Sequence, residues 1–206
     1  MMPNEKSPMS DERFSNDLTK FDLETPCLCL DLDRLEANVA RATVMIFAAG
    51  KSWRPHAKCH KSPAIASRLI AVGANGITCA KVSEAEVFAA AGVDQILIAH
   101  LPVGVKRVAR IADLCRFAKP IVTCDHYVQA DALSAECVRR GVKCRAVVEI
   151  NIGMNRTGVR PGRDTIELAK GIDRLPGLEL AGIEGYEGHT NAIRDPDAKR
   201  KAIEAS

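Results

Sequence analysis

GITCAKVSEAEVFAAAGVDQILIAH, residues 76–100, decides the fold class. GITCAK (76–81) is short and apolar and reads as a strand. Ser83 and Glu86 follow at capping-box spacing, and a helical pattern runs to Gly92, a residue suited to ending a helix. QILIAH (95–100) is a second strand-like run. Strand, helix and strand in this short span make a βαβ unit, with parallel strands joined by a right-handed crossover.

The same alternation extends in both directions. CLCLDLD (27–33) reads as a strand, after which Asp33 caps a helix reaching about Gly50. SWRPHAK (52–58) is the next strand, and Ser62 with Pro63 opens a helix that ends near Gly73. IVTCD (121–125), AVVEIN (146–151) and LELAGIEGYEG (178–188) read as further strands, and Asp195 with Pro196 begins a last helix. Strands alternating with helices imply a parallel sheet, closed as a doubly wound sheet or as a (β/α)8 barrel. No G-x-G-x-x-G follows an early strand, which weighs against a dinucleotide-binding sheet. Polar residues gather instead where strands end, at His56, Lys58, His100, Asp125, Asn151, Tyr186 and His189, as in a barrel.

The 206 residues are 47% hydrophobic and 27% charged, enough to bury a core. A net charge of +3 spread along the chain gives no ground for nucleic acid or membrane as a partner. No apolar run approaches the ~20 residues that span a bilayer. The opening MMPNEKSPMSDERFSNDLTK lacks the apolar centre of a secretory signal. A flexible polar tail is expected over 1–24 and the folded region over 25–206. Eight scattered cysteines without a CxxC pair fit free thiols in a cytoplasmic protein better than disulfides or a zinc site.

Three stretches carry chemistry. In RPHAKCHKSP (54–63), strand alternation puts His56, Lys58 and His60 on one face. A lysine in a barrel mouth is placed to condense with an aldehyde, since desolvation and nearby positive charge favour a free amine. A solvated basic turn would carry the same residues. His56 and His60 have H-x3-H spacing, yet along a strand they stand about 13 Å apart, too far for one ion. VVEINIGMNRTGVRPG (147–162) leads a strand into a Gly-bearing loop with Asn151, Asn155 and Arg156, a planar fork for an anionic oxygen or an ordinary connection with an exposed arginine. GIEGYEGHTN (182–191) sets Tyr186 between glycines at a strand end with His189 beyond, at a ligand or simply at the rim.

TPCLCLDLDRLEANV (25–39), RPHAKCHKSP, the 76–100 segment, MNRTGVRPG (154–162) and GYEGH (185–189) together resemble the fold-type III pyridoxal-phosphate enzymes, typified by the alanine racemase N-terminal barrel. The nearer resemblance is to the branch of D-threonine aldolases, D-serine dehydratases and 3-hydroxyaspartate aldolases. It implies an incomplete (β/α)8 TIM-type barrel with about six barrel strands, the first strand belonging to a C-terminal β-domain that this chain does not include. It also implies pyridoxal 5'-phosphate held as a Schiff base at Lys58, with Arg156 beside the ring and its phenolic oxygen. Tyr186 would stand near the ring nitrogen, His56 and His60 would shape the lysine's pocket, and His189 would be an acid/base near the substrate. A divalent metal is expected in the family, but its ligands fall in the missing part, so no metal ligand is assigned here. Cys59 replaces the threonine usual in relatives.

The implied activity is retro-aldol cleavage of D-configured β-hydroxy amino acids to glycine and an aldehyde, by a homodimer. Dehydration of D-serine or 3-hydroxyaspartate, racemisation, a non-enzymatic cofactor carrier and an inactive truncated remnant are the alternatives.

Overall fold

The computed structural model describes residues 19–206, so the tail expected over 1–24 lies largely outside the described residues. Two compact units meet between Ala40 and Arg41. In the first, residues 19–34 are exposed, and a turn closes where Thr19 N–H donates to Asp22 Oδ2 at 2.7 Å. CLCLDLD is not a strand. It pairs with none among the described residues, and a lone strand leaves its backbone donors and acceptors without protein partners. Helix α1 (Leu32–Ala48) starts instead at Asp31, whose carboxylate accepts from Arg34 N–H at 3.0 Å. The cap is therefore Asp31 rather than Asp33.

The second unit carries the sheet. Strands β1 (Ile77–Cys79), β2 (Gln95–Ile98), β3 (Lys119–Cys124), β4 (Cys144–Ile150) and β5 (Leu178–Gly185) run parallel and lie side by side in sequence order. A doubly wound sheet reverses its order at a switch point; this one does not, as in a singly wound β/α barrel. Helices α2 (Pro63–Ala71), α3 (Val82–Ala90), α4 (Val105–Leu114), α5 (Tyr127–Arg139), α6 (Arg163–Asp173) and α7 (Pro196–Glu204) alternate with the strands.

Pleat periodicity sorts the side chains. Ile77, Cys79, Ile96, Ile98, Val122, Cys124, Ala146 and Val148 are buried in one core with Phe88 of α3, Ile111 of α4, Leu133 of α5 and Ile172 of α6. Each such fully buried large side chain contributes about 1.5–3 kcal/mol. The alternate residues Thr78, Leu97, Glu149 and Glu184 face the other way, into a cavity.

The sixth barrel strand, expected over 52–58, is reduced to a single parallel bridge between His56 and Thr78. Asn75 N–H still donates to Trp53 O at 2.7 Å and Thr78 N–H to Pro55 O at 2.8 Å. Pro55 has no N–H to continue the ladder, and the chain turns into a short 3-10 segment, Ala57–Cys59. The Ser83–Glu86 capping box does not form either. α3 begins two residues earlier with Lys81 as cap, Glu84 reaches back to Ala80 N–H at 2.9 Å, and Glu86 pairs with Arg110 of α4. The remaining caps follow the sequence: Ser62 on Ile65 N–H and Asp195 on Ala198 N–H.

Candidate active site

The C-terminal ends of the strands surround a cavity of about 580 Å³, a size usual for small-molecule sites. Its lining includes Lys58, His56, His100, Arg156, Tyr186 and Glu184.

Lys58 reaches this cavity from the 3-10 turn that follows the His56–Thr78 bridge, not from a strand face as its spacing suggests. His56 Nδ1 accepts the Lys58 backbone N–H at 3.2 Å, so the imidazole fixes the turn that carries the amine. Lys58 is exposed, yet it shares the cavity with Arg156 and Tyr186. Burial, then the charge of Lys58, lowers the His56 pKa. Partial burial, then Arg107, lowers that of His100. Both imidazoles are thereby held toward the neutral form. His60 stays outside the lining: its Nδ1 accepts Ser62 N–H at 3.0 Å, and its ring meets Phe88 edge-on at 6.3 Å between centroids.

Arg156 is set by the loop after β4. Asn151 Oδ1 accepts from Gly153 N–H and Asn155 N–H, each at 3.1 Å, and Asp125 Oδ2 accepts from Gly158 N–H at 3.0 Å. Asn155 takes a left-handed conformation (φ 54°), which asparagine tolerates better than most residues. The loop delivers the Arg156 guanidinium to 5.2 Å from the centre of the Tyr186 ring, a cation–π contact. The glycine after Tyr186 has a packing reason: a Cβ on Gly188 would run into the tyrosine ring.

His189 stands apart from the cavity lining. Its ring lies against Gly153, where an added Cβ would fall 2.7 Å from the imidazole, and its Nε2 is 3.4 Å from Ser206 Oγ. Asp125 and Asn151 serve the loop rather than the cavity. Two glutamates not singled out in the sequence enter the cavity, beside Arg54 of the RPHAK stretch. Glu149 accepts the Thr157 hydroxyl, and Glu184 is its register partner on β5. Arg54, half-buried, donates to Gln95 O at 3.1 Å, its pKa lowered by burial and then by Arg145. Each glutamate shares its strand with another charged residue, Arg145 on β4 and Glu179 on β5, so the sequence does not mark it out. Among the described residues, no three His, Cys, Asp or Glu side chains gather closely enough to hold a metal, and no helix is long and apolar enough to cross a membrane.

Residues 30–205 match the family model described as alanine racemase, N-terminal domain. A D-threonine aldolase from Arthrobacter is 38% identical over 172 residues, covering 84% of this chain and 45% of that protein. Among solved structures, the D-threonine aldolase of Filomicrobium marinum superposes with a TM-score of 0.87 at 40% identity, over 89% of this chain and 50% of that one. The D-threo-3-hydroxyaspartate dehydratase of Delftia sp. HT23 follows at 0.78 and 32%, over 89% and 48%. The chain thus spans about half the length of the curated relatives it matches.

Proposed function

Because the chain belongs to the alanine racemase N-terminal domain family, we propose that it is the cofactor-holding part of a pyridoxal-phosphate lyase that cleaves D-configured β-hydroxy amino acids to glycine and an aldehyde. Residues 25–206 are then the partial barrel and 1–24 a polar lead-in, in a cytoplasmic homodimer. The observation that carries the reading is the convergence of Lys58, Arg156 and Tyr186 on one cavity, with Arg156 lying over the Tyr186 ring.

The donor set fits the cofactor. The cavity offers one primary amine for an aldehyde, a planar cation for an anionic oxygen, and an aromatic face beside it. Pyridoxal phosphate supplies an aldehyde that captures amines and an electron sink for charge developing at Cα. The residues' roles are positional. His56 holds the turn that presents Lys58. Arg156 would orient the ring through its phenolic oxygen, and Tyr186 would stand near the ring nitrogen. His100, held toward its neutral form, presents a proton acceptor at the cavity wall. His189 enters the proposal as the residue against which the Gly153 loop rests. The described residues offer no metal-ligand set, and no step assigned here passes through a metal.

Similarity to the Delftia dehydratase favours a second reading, loss of water from the same class of substrate. Incubation with pyridoxal phosphate and D-threonine separates the two. Cleavage yields glycine and acetaldehyde, whereas dehydration yields ammonia and 2-oxobutanoate. An absorbance band near the visible edge that disappears in Lys58→Ala is expected in either case. Its persistence in Lys58→Ala would overturn the assignment of the lysine.

A further inference from the structure

Two carboxyl groups share the inner face of the sheet. Glu149 and Glu184 are register partners on adjacent parallel strands, and both line the cavity that holds Lys58, Arg156 and Tyr186. Adjacent strands lie about 4.8 Å apart, so two ionised carboxylates there would repel strongly in a partly dry site. The surroundings treat them differently. Glu149 accepts the Thr157 hydroxyl. Glu184 Oε2 is buried and has no hydrogen-bond partner. Burial, and then the charge of Glu149, pushes its pKa up to about 7, so a proton is retained on Glu184 through mildly acidic pH. The cations Arg54, Lys58 and Arg156 and the imidazoles of His56 and His100 also line this cavity.

This arrangement constrains which edge of a bound cofactor can lie against β4 and β5. The phosphate and the phenolic oxygen of pyridoxal phosphate are anionic and find partners in arginines. Neither is stable against two neighbouring carboxyl groups. The ring nitrogen is different: it is uncharged or cationic, and it accepts a hydrogen bond from a neutral acid or pairs with its anion. We propose that Glu184 is a positioning residue that donates its carboxyl proton in a hydrogen bond to the pyridine nitrogen of the cofactor, and that this contact sets the ring's orientation over Arg156 and Tyr186. The inference rests on the pyridoxal-phosphate reading and deepens it. It gives the cofactor ring a carboxyl partner in addition to a phenol.

The test compares two ligands by absorbance titration. One is pyridoxal 5'-phosphate; the other is its 1-deaza analogue, in which C–H replaces the ring nitrogen. Glu184→Met keeps the side-chain length without a donor, and Glu184→Gln keeps a donor. The expected result is roughly tenfold weaker binding of pyridoxal phosphate to Glu184→Met, with the deaza analogue unaffected, and near-unchanged binding of both ligands to Glu184→Gln. Equal loss for both ligands in Glu184→Met, loss for neither, or a loss in Glu184→Gln matching that in Glu184→Met would overturn the proposal and leave the functional reading standing. An unsubstituted chain that binds neither ligand would overturn both. Should Glu184→Met fail to fold, the decision passes to Glu184→Gln beside the unsubstituted chain, since a tenfold loss with a donor in place contradicts the assignment.

Discussion

A carboxyl group held at about 7 by burial and by Glu149 makes folding depend on pH. In the unfolded chain a glutamate titrates near 4.5, so between there and about 7 the unfolded state releases a proton that the folded state keeps. The stability that Glu184 contributes is fully present below about 4.5 and is lost as pH rises through about 7. At about 1.4 kcal/mol per pKa unit the effect is roughly 3 kcal/mol at most, and solvent entering the cavity reduces it. Glutamine never ionises. Glu184→Gln should therefore gain about 1–3 kcal/mol on the unsubstituted chain between pH 4 and pH 8, measured as the difference in urea unfolding free energies. A difference that stays flat would return Glu184 to an ordinary carboxyl. Lys58, Arg156 and Tyr186 are legible in the sequence because their neighbours form recognisable motifs. Glu149 and Glu184 are not: a carboxylate in a strand looks the same facing water or facing a cavity, and only the β4–β5 register shows that the two meet.

Elements whose boundaries rest on local chemistry are readable before the fold is known. Ser62 and Asp195 cap the helices their sequence announces, because a short oxygen-bearing side chain beside a proline needs no tertiary partner to act. Elements that depend on a partner are not. The run at 27–33 has strand composition and finds no ladder, and the stretch at 52–58 is cut to one bridge by Pro55. The capping box in 76–100 loses to tertiary demand: Arg110 takes Glu86, and Glu84 does the reaching back. For α7 the local logic gives a measurable outcome. Asp195 Oδ1 accepts from Ala198 N–H at 2.7 Å, and no residue of this helix is buried. Asp195→Ala should cost about 1 kcal/mol, and the cost should fall on the helix alone. Amide exchange over 196–204 should accelerate about fivefold, while the global melting temperature moves by no more than about 1 °C. A melting temperature that falls by several degrees would show that α7 belongs to the cooperative core.

At the scale of the whole sheet, protection follows from what covers each strand. β1 to β4 send Ile77, Ile96, Ile98, Val122, Cys124, Ala146 and Val148 into the core shared with α3, α4, α5 and α6. β2, β3 and β4 have strand neighbours on both sides, and their backbone groups are buried from two directions. β5 differs along its own length. Leu178 is buried against the core, whereas Gly182 is exposed, and so is Ile183, which keeps 66% of its accessible surface. The irregularity between Ala146 and Val147 in the β4–β5 register falls at the transition between these halves. The singly wound order of the sheet therefore makes an assembly whose stability declines from its central strands toward β5. Opening free energy scales with the apolar surface and ladder bonds that must be given up. Amides of residues 96–98, 121–124 and 145–148 should exchange last and together, at the global unfolding free energy. Amides of 183–185 should exchange at least tenfold faster, in a separate local opening that carries Glu184 and Tyr186 with it. Saturating pyridoxal phosphate should slow exchange over 183–185 selectively, because a ligand that binds only the closed form adds its binding free energy to that opening. Uniform slowing across all five strands would instead mean that β5 opens only with the rest of the sheet, and that the cavity wall is as rigid as the core behind it.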